Sequence, residues 1–224
     1  LRNMAHFTGQ NLWFLAVTLI PLAQVFALEF TSPLWVMFLA ALFLGERMTW
    51  IKAVAGMLGF AGVLIVLQPG SAPLSNGVIA AAAAAVFFAI TAIFTKRLTR
   101  DQSITCILFW LTVIQLGLGL VCSLYDGDMA RPSAQTWPWV VVIGLGGLAA
   151  HFCITSALAK APASVVMPID FVRLPVIVLI GAAFFDEGFQ WGIIMGAILI
   201  FGANYANVLS EHRRSQNTPQ NTET

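Results

Sequence analysis

Charged residues are scarce in this sequence, at 9% of 224 positions, against the roughly 25% typical of a soluble domain. The 11 basic and 10 acidic residues leave a formal charge of +1, which excludes a basic surface for nucleic acid. Cys106, Cys122 and Cys153 lie in apolar runs at irregular spacing, which excludes a disulfide framework and a zinc site. Hydrophobic residues make up 59% of the chain, so lipid is its expected solvent.

Motifs of several enzyme classes are also lacking. The sequence has no His-Glu-x-x-His, no Gly-x-Ser-x-Gly and no phosphate-binding loop, so we expect no metal, no cofactor and no nucleotide-driven pumping. No cleavable signal peptide is evident, because the first apolar run lacks a basic segment before it. The chain begins at Leu1 instead of a methionine, from which we expect that an amino-terminal segment is missing.

Apolar stretches long enough to cross a hydrocarbon core follow one another along the chain. We predict eight transmembrane helices: Met4–Ile20, Pro21–Leu44, Trp50–Leu67, Ser75–Thr95, Ser103–Leu124, Trp137–Ala159, Pro162–Phe185 and Phe189–Ser210. The alternative of one first helix running to Leu28 leaves only about 15 residues, or ~22 Å, for the second. A break at Pro21 gives two adequate spans, and proline suits the first position of a helix.

Basic residues between the spans predict the orientation, because they accumulate on the cytoplasmic side. A cytoplasmic amino terminus places nine of them inside and Arg131 outside, whereas Arg173 lies within a span. The nine are Arg2, Arg47, Lys52, Lys96, Arg97, Arg100, Lys160, Arg213 and Arg214. We therefore expect a multi-pass inner-membrane protein with both termini in the cytoplasm.

An internal repeat appears when the chain is shifted by 141 positions. The shift pairs Ala16 with Ala157, Pro21 with Pro162, Glu29 with Asp170, Phe30 with Phe171, Glu46 with Glu187 and Trp50 with Trp191. The shift spans five predicted helices, and an odd number reverses direction, so the two copies are expected to be inverted. Inverted repeats with a site at their interface are typical of secondary transporters.

The repeat also divides the chain. We predict a partial first repeat of three helices at 1–68, an external linker at 69–74, a second repeat of five helices at 75–210 and a disordered cytoplasmic tail at 211–224. Because the first copy is two helices shorter, either two helices are missing from the start or this copy has lost them.

These residues resemble the drug/metabolite transporter superfamily, EamA type. The resemblance rests on Pro21-Leu22-Ala23 with Glu29 and on Leu44-Gly45-Glu46-Arg47, echoed around Pro162 and Asp186-Glu187. It covers nearly the whole chain and implies ten helices in two inverted bundles of five, of which this chain would lack the first two. It implies transport of a small metabolite without fixing which one. Arg173 departs from the pattern, since Ser32 stands at the matching position.

Acidic residues within two spans are the first candidates for a substrate or coupling site. Glu29 and Asp170 each lie eight positions, or ~12 Å, after a proline, and therefore approach the bilayer centre from opposite sides. A charge there costs at least ~2.5–3.5 kcal/mol and needs a wet cavity or a partner. Glu29 is interpreted as a proton acceptor or cation ligand, or else as a structural carboxyl. Arg173 follows Asp170 by three positions and either clamps an anionic substrate group or is merely neutralised by Asp170.

Polar residues on neighbouring helix faces extend this candidate site. His151 and Thr155 share one face, and Gln10 and Trp13 share another with His6. His151 is a candidate proton relay and Trp13 a stacking wall, although a packed histidine is the alternative. His151 matches Gln10 in the ungapped repeat, whereas a gapped alignment matches it with His6. Gln115 and Asn204 are weaker candidates.

Turn residues form a separate group of predictions. Glu46 and Glu187 lie in short turns where a carboxylate can satisfy the N–H groups of a helix start. Pro21 and Pro162 are expected to begin their helices. We assign these four residues structural roles.

Alternating-access transport, with or without proton coupling, is the leading hypothesis. The alternatives are an intramembrane enzyme using Glu29, Asp170 and His151, a receptor or assembly subunit, and an inactive truncated remnant. The expected partners are a small-molecule substrate, the lipid bilayer and, as one option, a second copy in a homodimer.

Overall fold

Helices account for all the regular structure that is described. The computed structural model describes residues 1–20, 22–67, 75–125 and 132–173, with isolated positions between 176 and 210. The helices are α1 (Arg2–Leu19), α2 (Leu22–Glu29), α3 (Ser32–Phe43), α4 (Trp50–Leu67), α5 (Asn76–Leu98), α6 (Ile104–Tyr125), α7 (Trp137–Lys160) and α8 (Ala163–Val166), and a 3-10 helix (Met167–Val172) continues α8. The all-α prediction is confirmed.

Five predicted spans agree with α1, α4, α5, α6 and α7 to within three residues at each end. The predicted span at 189–210 lies largely outside the described residues, as do the predicted linker and tail and the candidates Pro21, Glu187 and Asn204.

The second predicted span is wrong as one continuous helix, because it is divided between α2 and α3. Phe30 and Thr31 separate the two helices. The Thr31 hydroxyl donates to the Leu28 carbonyl oxygen at 2.6 Å, which occupies an acceptor at the end of α2. Pro33 lies in the first turn of α3, where its missing N–H favours a new helix start.

The seventh predicted span also changes form, because the α-helical turn of α8 gives way to a 3-10 helix at Met167. Pro168 has no N–H to donate to the residue four positions earlier, so an α-helix cannot continue through it unchanged. Each of the two segments that carry a predicted intramembrane acid therefore has irregular backbone near that acid. Broken helices are where transporters place their binding sites.

The packing of α1 along α5 is the most extensive contact among the helices that the structure describes. Ala16, Ala80 and Ala81 are buried between the two helices. A Cβ built on Gly77 would lie 2.7 Å from Ile20 Cγ2 and 2.8 Å from Leu19 Cβ, so glycine is needed for this close approach. Small residues thus let the two backbones meet, as is usual between membrane helices.

A second core lies where α3, α5, α7 and α8 meet. It contains eight buried residues: Val36, Ala40, Ala89, Ala92, Ile93, Leu158, Ala163 and Met167. This core fixes the turn between α7 and α8 against α3 and α5, which bears on the contacts described below.

Three described helices are long and apolar enough to cross a membrane, namely α5, α6 and α7, with mean hydropathies of 2.4, 2.2 and 1.9. Much of the apolar surface of α6 and of the first half of α7 faces outward, as at Val121, Ile143 and Leu145. Such surfaces are stable against lipid and not against water.

Candidate functional site

Two acids and one guanidinium from distant parts of the chain form a carboxylate cluster, which comprises Glu29, Asp170, Arg173 and Trp13. The Arg173 guanidinium donates to Glu29 Oε1 and lies 3.3 Å from Asp170 Oδ2. The Trp13 indole N–H donates to Glu29 Oε2 at 2.6 Å. Both Glu29 oxygens therefore have donors, and the side chain of Glu29 is only 12% exposed.

The carboxylate cluster combines one local contact with one long-range contact. Glu29 is the last residue of α2, immediately before the break at Phe30, and Asp170 lies within the 3-10 helix. Asp170 and Arg173 are three positions apart, a spacing that brings both side chains to one face of a helix. The contact between Arg173 and Glu29 joins residues 144 positions apart and had no local signal in the sequence.

Aromatic rings line one side of the carboxylate cluster. Trp13 meets Phe26 edge-on at 5.9 Å between ring centroids, and Phe26 stacks on Phe30 at 6.2 Å. The Arg173 guanidinium carbon lies 5.4 Å from the Phe30 ring centroid, within cation–π range. Trp13 is thus part of an aromatic wall, and it also holds Glu29 through its N–H.

The charges of the carboxylate cluster limit which substrate groups it can bind. Arg173 already meets two carboxylates, so its guanidinium is a poor anchor for an anionic substrate unless one of them leaves. With both acids ionised the carboxylate cluster carries one excess negative charge. A proton or a cationic group would balance it.

A histidine pair connects α1 to α7. His6 on α1 and His151 on α7 approach to 3.1 Å between their Nε2 atoms, with the rings at 88°. One Nε2 must carry the proton of this hydrogen bond while the other accepts it. The structure brings His151 into contact with His6, the residue that the gapped alignment matches with it. The pair joins α1 to α7.

The remaining polar candidates do not join the carboxylate cluster by a hydrogen bond or ion pair within the described residues. Thr155 is fully buried one turn after His151, and its hydroxyl lacks a hydrogen-bond partner in the described part of the chain. Gln115 Nε2 is buried in the same unpaired state. Gln10 is half-buried on α1.

Glu46 caps a helix, as predicted, but not the helix that follows it. Its Oε1 accepts from Ala163 N at 2.7 Å, and its Oε2 accepts from Ser164 N at 3.0 Å, at the start of α8. The next helix, α4, is served instead by Thr49, whose hydroxyl accepts from Lys52 N at 3.3 Å. Gly45, with φ of 67°, turns the chain before Glu46, a conformation that favours glycine.

Pro162 is the N-cap of α8, which begins one residue later than predicted, at Ala163. Lys96 supports the same turn, since its ammonium group donates to the carbonyl oxygens of Leu158 at 2.6 Å and Ala161 at 2.8 Å. Cations are favourable at a helix C-terminus such as that of α7. Lys96 looks only like a loop charge in the sequence, and this contact has no signal there because its acceptors lie more than 60 positions away.

Arg2 is a further buried cation, although its position near the start of the chain suggests only a loop charge. It is 5% exposed, and its Nε donates to the Thr95 hydroxyl on α5 at 3.0 Å. No spacing rule connects positions 2 and 95, so the contact could be found only in the folded chain.

A cavity of about 800 Å³ is lined by Leu28 of α2, by Thr31 and by side chains of α3 and α5, which include Trp35, Phe38 and Ile79. No predicted site residue lines it. We therefore place the candidate site at the carboxylate cluster, where the polar groups converge.

Comparison with known proteins gives the family. The model of the EamA-like transporter family matches residues 4–68 and 75–209. A riboflavin transporter of Rhizobium johnstonii is 33% identical over 93% of this chain and 68% of its own length. A riboflavin transporter of Brucella anthropi is 33% identical over 88% of this chain and 70% of its own length.

More distant relatives agree. An S-adenosylmethionine uptake transporter of Rickettsia conorii is 25% identical over 95% of this chain and 72% of its own length. A solved crystal structure shares the fold with a TM-score of 0.78 at 20% identity, over 91% of this chain and 74% of that one. The chain therefore belongs to the EamA-like transporter family of the drug/metabolite transporter superfamily, and it is a multi-pass membrane transporter of small molecules, not an enzyme.

Proposed function

We propose that this protein is a secondary transporter that moves a small organic metabolite across the inner membrane by alternating access. The observation that carries the proposal is the carboxylate cluster, in which Glu29 from the first predicted repeat contacts Arg173 from the second. Both residues adjoin irregular backbone, the arrangement that transporters use at a central site. A contact that joins the two repeats there can respond to substrate and to their relative movement.

The inverted repeat is part of this proposal, and the contacts support it. The repeat equates Glu29 with Asp170, and both carboxylates meet the same guanidinium. The gapped alignment equates His6 with His151, and these rings touch. Residues related by a two-fold axis contact one another only near that axis, so the site lies close to the interface of the proposed halves.

Reporter fusions test the inverted arrangement. Fusions after Arg47 and after Glu187 should report opposite sides of the membrane, with the Arg47 fusion in the cytoplasm, because the proposed repeats are separated by five helices. Alkaline phosphatase and a fluorescent protein, active on opposite sides, measure this in cells. Fusions after Lys96 and Lys160 are cytoplasmic controls. Placement of both tested loops on one side would refute the inversion.

For the substrate we propose a planar heteroaromatic metabolite that is neutral or cationic. The rings of Trp13, Phe26 and Phe30 offer stacking surface beside the carboxylate cluster. The two acids that hold Arg173 disfavour an anionic group at this place. Riboflavin is the first compound to test, since it names the relatives at 33% identity, and S-adenosylmethionine is the second.

Proton coupling is proposed on the same groups. Two carboxylates share one guanidinium, so a proton on Glu29 or Asp170 removes the excess charge and weakens one ion pair. That would release Arg173 from one of the two proposed halves. Proton binding and movement of the halves would then be linked through a single side chain.

Uptake into vesicles tests the function. The full-length protein, reconstituted into lipid vesicles, is expected to accumulate labelled riboflavin more than empty vesicles, and a proton gradient should increase the initial rate several-fold. S-adenosylmethionine and an anionic nucleotide serve as comparison substrates. Accumulation of none of a broad metabolite panel would support the inactive-remnant alternative. Uptake at the same rate with and without the gradient would refute proton coupling and would leave the transport proposal unaffected.

A further inference from the structure

The turn between α7 and α8 is held by side chains from a distant part of the chain. Glu46 accepts three hydrogen bonds there, from the N–H groups of Ala163 and Ser164 and from the Ser164 hydroxyl at 2.6 Å. Lys52, near the start of α4, donates to the same hydroxyl oxygen at 3.1 Å. We call Glu46, Lys52 and Ser164 the Glu46 lock.

The Glu46 lock has a fixed pattern of donors and acceptors. Because the Lys52 ammonium group can only donate, the Ser164 oxygen must accept from it and give its own proton to Glu46. Lys52 and Ser164 are 4% and 2% exposed, so these bonds are sheltered from water. Bonds with an ionised partner are the stronger kind, and they connect the first proposed repeat to the second.

The proposed repeat gives the lock a counterpart on the other side of the membrane, and the sequences differ. A shift of 141 positions pairs Glu46 with Glu187 and Pro162 with Pro21, so the carboxylate and the proline occur in both copies. Ser164, however, is paired with Ala23, and Lys52 with Ile193, or with Gly192 after the one-residue slip. The counterpart sequence therefore has neither the hydroxyl nor the amine.

We propose that the Glu46 lock closes the site on the Glu46 side, and that its added hydroxyl and amine bias the resting protein toward opening on the opposite side. The proposal rests on the alternating-access function above, because only a transporter of that kind has two sides to open in turn. Contacts that cross between the halves must part when the Glu46 side opens. The side with more such contacts opens less often.

Spin-label distances test the bias. Cysteines for labelling replace Met48, beside Glu46, and Lys160, at the end of α7, both of which are exposed. Cys106, Cys122 and Cys153 are first replaced by alanine. The wild-type protein should show mainly the shorter of two distances between the labels, the one expected when the Glu46 side is closed. The double variant Lys52→Ile/Ser164→Ala, which copies the residues of the other side, should raise the ratio of long to short distances about tenfold.

A matched control is Ser156→Ala, which removes a hydroxyl whose hydrogen bond among the described residues stays within α7, to the Phe152 carbonyl oxygen. It should leave the distance distribution as in wild type. Hydrogen exchange gives a second measurement, since the Ala163 and Ser164 amides held by Glu46 should exchange faster in the double variant. Unchanged distances and unchanged exchange in a folded double variant would overturn the lock.

The lock and the proposed function fail in different ways. If the double variant shifts the distances while no substrate moves in the vesicle assay, the lock stands as a contact that keeps the Glu46 side closed, and the proposed substrate class falls. If wild type transports substrate and neither distances nor exchange respond to the double variant, the lock alone falls.

Discussion

Replacement of Glu29 by alanine is expected to lower substrate uptake about a hundredfold. The change leaves Arg173 with one carboxylate where it now has two, and it removes the acceptor of the Trp13 N–H. The two hydrogen bonds to the Glu29 carboxylate, from Arg173 and Trp13, are together worth about 3 kcal/mol. Because the Arg173 bond joins the proposed halves, we expect this cost to fall on their movement, where it corresponds to about a hundredfold in rate. Initial uptake rates in vesicles, normalised to reconstituted protein, measure the loss.

The charge count separates transport from folding. Glu29→Ala leaves Arg173 paired with Asp170, so the variant should keep a monodisperse profile in detergent. Its uptake should still fall, because the contact between Glu29 and Arg173 is gone. Glu29→Gln should keep the Trp13 hydrogen bond through its amide oxygen while it loses the proton dependence. Normal uptake and normal proton dependence in Glu29→Gln would remove Glu29 from the mechanism.

Glu46→Ala is expected to lower the melting temperature in detergent by on the order of 10 °C. The three hydrogen bonds that Glu46 accepts include two from N–H groups at the start of α8, which the variant leaves without their acceptor. Their loss is estimated at about 3 kcal/mol in total, and each kcal/mol shifts a chain of this size by roughly 2–4 °C. Scanning fluorimetry of the purified protein measures the change.

Asp101→Ala is the matched control for Glu46→Ala, since Asp101 is an exposed acid in the turn between α5 and α6. Its melting temperature should stay within about 1 °C of wild type, as for most surface substitutions. A Glu46→Ala protein that melts with wild type would show that the start of α8 does not depend on the carboxylate.

Hydropathy predicted the helices well where a span is regular. Both ends of α4 agree with the prediction, and α7 begins at the predicted residue and ends one residue later. The breaks at Phe30 and Met167 were not predicted, because hydropathy does not show where a backbone N–H is missing or where a backbone carbonyl is bonded to a side chain. Pro33 and Pro168 were the available signals, and both lay inside stretches that read as continuous.

Contacts between near neighbours could be predicted from the sequence, and contacts between distant residues could not. Asp170 and Arg173 were paired correctly because three positions bring them to one face. Glu29 was a candidate from its charge, but its contact with Arg173 depends on how two remote segments pack. Glu46 shows the same limit: the carboxylate was assigned to a helix start, and only the fold identifies α8 as that helix. The transport roles of these residues remain predictions.

The 144 positions between Glu29 and Arg173 also bear on how the protein is made. A ribosome that adds roughly 5–20 residues per second needs about 7–30 s to pass from one to the other. During that interval the acid of α2 enters the bilayer, or waits at its surface, without the guanidinium that later holds it. A charged side chain at the centre of a span costs ~2.5–3.5 kcal/mol on insertion scales. The guanidinium that holds Glu29 therefore becomes available only after the intervening helices have been made.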